Sequence, residues 1–216
     1  MTSTDLRTEL AATAARLIAE EGCEYAQAKR RAVHEILGAG ADRRTTMPDN
    51  SEVEHELRRY LKLFGGASHR ALLAALRSAA AEMMQTLHEF DPHLIGAVLN
   101  GTATEHSDIH LQLFVDSAKD VELRLLNLGI EFDVDDGDSD ERPATLERLS
   151  FVMPPEQGAG LRQRIIGVRL HICARDAIRV AARHKRDVAA EEGIHPIEAA
   201  GRANLVALQR LINESL

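Results

Sequence analysis

An aspartate and a histidine stand two positions apart after a turn that is rich in glycine and in hydroxyl side chains. The turn lies in the segment LIGAVLNGTATEHSDIHLQLF, residues 94–114, and Asp108 and His110 follow it. Gly96 and Gly101 permit backbone conformations that other residues avoid, so that a ligand can approach the main chain. Backbone amides exposed in such a turn can form a nest for an anion. The spacing predicts a phosphate-binding turn that is followed by a carboxylate.

The residues around Asp108 alternate between polar and apolar, which is typical of a half-buried strand. Asp108 and His110 are therefore expected on one face, and the apolar residues Ile109, Leu111 and Leu113 on the other. The later segment GIEFDV alternates in the same way and supplies Asp133, with Glu131 as the alternative on the same face. If this strand is the neighbour of the first, carboxylates from both strands could hold a divalent metal ion beside the turn.

These residues resemble the signature of the polymerase-beta-like nucleotidyltransferase superfamily, in particular its minimal and aminoglycoside-type members. That signature has a Gly-Ser pair, a polar turn, and Ser-Asp-x-Asp at the head of the second strand. Gly96-Ala97 falls on the Gly-Ser pair, Asp108 on the first metal-binding Asp, and His110 on the second. The resemblance covers about residues 93–135 and makes Asp133 the best match for the third carboxylate.

The resemblance implies transfer of a nucleoside monophosphate from a nucleoside triphosphate to a hydroxyl acceptor, with Mg²⁺ or Mn²⁺ as cofactor. The implied catalytic and metal-binding residues are Asp108, His110 and Asp133, and the implied nucleotide-binding residues are Gly96, Ala97, Asn100, Gly101, Thr102 and Ser107. Two departures, His110 for Asp and Ala97 for Ser, remove a carboxylate and a hydroxyl. They leave three interpretations: a degenerate domain that binds a nucleotide without turnover, an enzyme with a different metal such as zinc or nickel, or a structural strand pair.

The elements around this segment predict an α+β protein with three parts. Residues 1–90 read as a helical bundle, with Gly22 ending the first helix, Ser51 and Glu54 forming a capping box, and Asp91-Pro92 ending the last helix. Residues 91–155 read as a nucleotidyltransferase-like core, with strands at HLIGAVL, DIHLQLF, GIEFDV and LERLSFVM and a helix at SAKDVELRLLNLG. Residues 156–216 read as a mainly helical segment that packs on this core, although RIIGVRLHIC alternates like a fifth strand.

Composition narrows the classes of function. Of the 216 residues 44% are hydrophobic but only 3% are aromatic and none is Trp, so the core is expected to be aliphatic. A net charge of -8 argues against general affinity for DNA. Cys23 and Cys173 match no metal or redox spacing and are expected to be reduced thiols in the cytoplasm. No signal peptide and no membrane-spanning apolar run is predicted.

Other interpretations of the chain remain beside the nucleotidyltransferase hypothesis. A further hypothesis is a non-catalytic helical adaptor, in which the Leu and Ala faces of residues 66–90 bind a partner. The segment AATAARLIAEEGCEYAQAKRRAV is similar to the start of a helix-turn-helix DNA-binding regulator, which the acidic charge disfavours. A basic stripe at helical spacing is formed by Arg175, Arg179, Arg183 and Arg186. One interpretation is that it pairs with the acidic loop DVDDGDSDERPAT. The other is that it holds triphosphate or an anionic acceptor such as RNA. The acceptor and the oligomeric state are left open.

Overall fold

The computed structural model describes residues 3–38, 47–135, 145–153, 165–180 and 194–214. The chain folds as two compact units. A helical unit comprises residues 1–72 and 102–106, and a sheet unit comprises residues 73–101 and 107–216. The division between residues 72 and 73 falls inside one long helix, Gly66–Thr86.

The helical unit is built on α1 (Ser3–Glu21), α2 (Tyr25–Leu37), α3 (Asn50–Phe64) and the first part of α4 (Gly66–Thr86). Its core is aliphatic, as the composition predicts, and small alanines on α1 and α2 let these helices approach closely. The core consists of Leu10, Ala11, Ala14, Ala15, Leu17, Ile18, Cys23, Ala28, Ala32, Val53 and Leu57. The predicted helical content of residues 5–90 is confirmed for the described residues.

The ends of these helices follow local rules, with one correction. Gly22 ends α1 with φ of +68°, a conformation that favours glycine. The predicted capping box of Ser51 and Glu54 is wrong by two residues: Asp49 is the N-cap, and its side chain accepts hydrogen bonds from the amides of Ser51 and Glu52. The Glu52 side chain in turn accepts from the Asp49 amide, which completes the box. Both pairs fit the capping-box spacing, and only the true helix start distinguishes them.

The sheet unit holds a six-stranded mixed sheet and three α-helices among its described residues, in addition to the second part of α4. The strands are β1 (His93–Ile95), β2 (Ile109–Val115), β3 (Asp133–Val134), β4 (Thr145–Val152), β5 (Gly167–Ala174) and β6 (Ala203–Asn204). The helices are α5 (Gly96–Asn100), α6 (Ala118–Asn127) and α7 (Leu205–Glu214), with short 3-10 helices at His88–Phe90, Arg175–Arg179 and Glu198–Ala200. The strand order is β3-β4-β5-β2-β1-β6, and only β2 and β5 run parallel.

The predicted α+β class is confirmed, and the differences from prediction lie in three segments. In HLIGAVL the strand stops at Ile95, because Gly96 takes φ of +73° and the chain turns into α5. In GIEFDV only Asp133–Val134 pairs. In the C-terminal segment, which was predicted to be mainly helical, β5 is an inner strand of the sheet. The sheet thus takes strands from both the predicted core segment and the predicted C-terminal segment.

The sheet has one apolar and one polar face, because side chains alternate along each strand and directly paired residues share a face. Ile109, Leu111, Leu113, Val168, Leu170, Ile172 and Leu149 lie on the apolar face and are fully buried. The opposite face carries His110, Gln112, Arg169, His171, Arg148 and Ser150 from the three central strands. The polar face is where chemistry could take place.

No helix in the described part of the chain is long and apolar enough to cross a membrane.

Candidate functional site

Asp108 directly precedes β2 and is held by two residues of β5. Its Oδ2 lies 2.9 Å from Nε of Arg169, and the two side chains are 29% and 41% exposed. Its other oxygen lies against Gly167, where an added Cβ would come within 2.2 Å of Oδ1. Strand β5 therefore supplies both the cation that pairs with Asp108 and the bare backbone on which the carboxylate rests.

A histidine pair continues the same face. Nδ1 of His110 and Nε2 of His171 are 3.0 Å apart, and the two rings stack with their centroids 5.3 Å apart. A hydrogen bond between two ring nitrogens needs one proton between them, so one ring donates and the other accepts. While this bond holds, the pair carries at most one positive charge. His171 is 9% exposed, and His110 is partly exposed.

The glycine turn begins beside this pair. Ile95 is the register partner of His110, and Gly96 follows it at the start of α5. A Cβ added to Gly96 would lie 3.8 Å from Cβ of His110, which is an ordinary van der Waals contact. The structure therefore brings Gly96, Asp108 and His110 together, with partly buried Ala97 next to Gly96.

Asp133 lies elsewhere, and the expectation that its strand is the neighbour of β2 is wrong. Strands β4 and β5 lie between β3 and β2. Asp133 pairs with Ser150, Ser150 with Arg169, and Arg169 with His110, so Asp133 is three strands away in the same row. Three strand spacings amount to about 14 Å, whereas two ligands of one magnesium ion lie within about 4 Å of each other. Asp133 therefore does not share a metal ion with Asp108, and Glu131, which precedes β3, joins no strand of the sheet.

The other predicted nucleotide-binding residues are divided between the units. Asn100 and Gly101 lie at the far end of α5 from Gly96, and a Cβ on Gly101 would meet Oε1 of Glu198 at 3.2 Å. Thr102 belongs to the helical unit, is 1% exposed, and hydrogen-bonds the phenol of Tyr25. Ser107 is partly buried next to Asp108. Of this predicted set, Gly96, Ala97 and Ser107 therefore adjoin the polar face.

Strand β5 supplies neighbours of Asp108 and His110 that were not predicted from the sequence. Gly167, Arg169 and His171 complete the surroundings of Asp108 and His110. Their common face was visible in the alternation of RIIGVRLHIC, but nothing in that segment indicates which strand it pairs with. Among the described residues no group of three or more His, Cys, Asp or Glu side chains is placed to hold a metal ion.

Two other surfaces were predicted from the sequence: the basic stripe and the apolar face of residues 66–90. The basic stripe begins in a 3-10 helix, where Arg175 pairs with Asp116 at 3.4 Å. Arg183, Arg186 and most of the acidic loop lie outside the described residues. In the helix proposed for an adaptor, Leu76, Ala79, Ala80, Met83 and Met84 are buried within this chain. The C-terminal half of that face is therefore already packed.

The chain matches no protein-family model, and neither a curated protein nor a solved structure is significantly similar to it.

Proposed function

We propose that this chain is a nucleotidyltransferase-like protein that binds a nucleotide on the polar face of its sheet and does not transfer it. The observation that carries the proposal is the placement of Gly96 against His110, beside Asp108. This is the part of the family signature that depends on local spacing alone. The partly exposed face next to it, with Arg169 and Ser150, offers hydrogen-bond donors to a phosphate or a sugar.

The proposal is non-catalytic because the described residues around Asp108 lack the further carboxylates that two-metal transfer needs. In such chemistry two divalent ions lie about 3.5–4 Å apart and stabilise the attacking and leaving oxygens. Asp108, which directly precedes β2, provides one carboxylate, and the residue opposite His110 on the adjacent strand is the cation Arg169. A cation at that position repels a second metal ion.

We place the protein in the cytoplasm in this proposal. Cys23 and Cys173 are both buried thiols, which suits a reducing compartment.

Isothermal titration calorimetry with each of the four common ribonucleoside triphosphates, in Mg²⁺ and in Mn²⁺, tests the proposal. We expect at least one of them to bind, and Asp108→Asn to change its dissociation constant several-fold. Asp116→Asn is the matched control, because Asp116 follows the opposite end of β2 and is 73% exposed. Failure of all four to bind, or equal small effects of the two variants, would contradict the site. Release of pyrophosphate with any hydroxyl acceptor would favour an active transferase instead.

A further inference from the structure

The surroundings of Asp108 carry less negative charge than the family signature implies. The signature implies two aspartates at the head of β2, where this chain has Asp108 and His110, and a third carboxylate, which is matched by Asp133, three strands away. The residue of β5 that pairs with His110 is the cation Arg169. With His110 neutral, the formal charges of Asp108, His110 and Arg169 sum to zero. A polyphosphate approaching this face does not need metal cations to overcome a carboxylate cluster.

We infer that this site binds the polyphosphate group of its ligand directly through Arg169 and the His110–His171 pair, without a metal ion. The inference rests on the proposed function, since it concerns the same face of the sheet. The guanidinium of Arg169 is planar with five N–H donors, a geometry that matches phosphate oxygens, and 41% of the side chain is exposed. The pairing with Asp108 is through Nε of this group.

The neighbouring side chains add donors of the same kind. Arg148 on β4 is the register partner of His171, and Ser150 is the register partner of Arg169. The His110–His171 pair adds one positive charge when it takes up a proton without losing its hydrogen bond. Arg148 and Arg169 thus place two cationic groups on the same face as Asp108 and Asp133.

Asp108 then has a role opposite to that of a metal ligand, and this makes the test decisive. As a metal ligand it would strengthen binding of a magnesium–nucleotide complex. As the partner of Arg169 it competes with the phosphate for the guanidinium and repels the anion. The sign of the effect of Asp108→Asn therefore distinguishes the two modes.

The experiment is calorimetric titration of the full chain with the four nucleoside triphosphates and with inorganic tripolyphosphate, in excess EDTA and in Mg²⁺. We expect binding in EDTA at least as tight as in Mg²⁺, weakening by about tenfold in Arg169→Gln, and tightening of a few-fold in Asp108→Asn. The matched control is Asp116→Asn, because Asp116 pairs with Arg175 at the other ends of the same two strands. This variant should leave the dissociation constant unchanged. Tripolyphosphate that binds as tightly as the nucleotides would identify the anion itself as the ligand, and weaker binding would show that base or sugar contributes.

Each negative result would overturn a different part of the proposal. Binding that requires Mg²⁺ and weakens in Asp108→Asn would overturn the metal-free inference and retain the proposed function. No binding in either condition would overturn both. If Arg169→Gln lowers the melting temperature, Arg169→Lys keeps the charge but loses the planar group. Binding by the lysine variant that equals wild type would refute a specific role for the guanidinium.

Discussion

Arg77 on α4 is a buried cation that links several elements of the sheet unit, and replacing it tests how much these links contribute to stability. It is 3% exposed, and its guanidinium makes three hydrogen bonds to other elements. Nε donates to the Val98 carbonyl at 3.1 Å, and Nη2 donates to the Leu99 carbonyl at 3.0 Å and to Oε1 of Glu198 at 2.6 Å. Arg77 therefore connects α4 to the C-terminal end of α5, the helix that starts at the candidate site, and to the last 3-10 helix.

The expected effect of Arg77→Met can be worked out from these contacts. Removing one partner of a buried ion pair lowers the free energy of unfolding by about 3–5 kcal/mol, because the other charge remains in the protein. Glu198 is 19% exposed, so its carboxylate retains much of that penalty. Methionine replaces part of the arginine stem, which limits the cavity. We expect a loss of about 3–4 kcal/mol, near the lower end of this range, because Glu198 keeps some contact with water.

Urea denaturation of Arg77→Met, Glu198→Leu and the double variant measures this pair. The double variant should lose less than the sum of the single losses, with a coupling energy of about 1–3 kcal/mol. Arg70→Met is the control, since Arg70 is exposed two turns earlier on the same helix and should change stability by less than about 0.5 kcal/mol. A loss below about 1 kcal/mol for Arg77→Met, or strict additivity in the double variant, would refute the reasoning.

Three further predictions concern single contacts. Gly167→Ala places a Cβ 2.2 Å from the Asp108 carboxylate and should lower the free energy of unfolding by about 1–3 kcal/mol. Adding Asp108→Ala should restore part of this stability, and a double variant without any recovery would contradict the contact. Burial raises the pKa of Tyr25 to about 12 from 10.0, so its stabilising contribution is complete below pH 10 and is lost on raising the pH through 12. Across this range the free energy of unfolding, measured by urea denaturation, should fall by up to about 2–3 kcal/mol more for wild type than for Tyr25→Phe, and equal decreases would contradict the prediction. Asp49→Ala should lower the melting temperature through a loss of about 1 kcal/mol of capping, whereas Ser51→Ala should have little effect, and the reverse order would refute the assigned cap.

The sequence allowed correct prediction of features that depend on neighbours along the chain. The helices of residues 5–90 follow from 3.6-residue periodicity and from stop signals such as Gly22. The alternation around Asp108 correctly assigns His110 to the polar face of β2 and Leu111 to the core. Even the error at the third helix was small, because Ser51 and Asp49 offer the same capping chemistry two residues apart.

Prediction failed where a contact joins distant parts of the chain. The segment GIEFDV, which contains Asp133, looked like a strand next to β2, since consecutive strands are usually neighbours. Only two of its residues pair, and they extend the far edge of the sheet through β4. The place beside β2 is taken instead by β5, which begins 52 residues after the end of β2. Parallel pairing requires a crossover of about a dozen residues or more, and alternation within a strand does not encode its partner.

The charge of the candidate site depends on the pairing of β2 with β5, which are distant in the sequence. Local spacing alone placed Gly96, Asp108 and His110 correctly relative to each other, and on that basis a carboxylate from the next strand would have completed a metal site. The residue that arrives opposite His110 is Arg169, which pairs with Asp108 and turns a carboxylate cluster into a balanced ion pair. The insertion of β4 and β5 between β3 and β2 thus gives Asp108 a cationic neighbour where the predicted strand order would have brought a carboxylate, which is the basis of the metal-free binding that we propose.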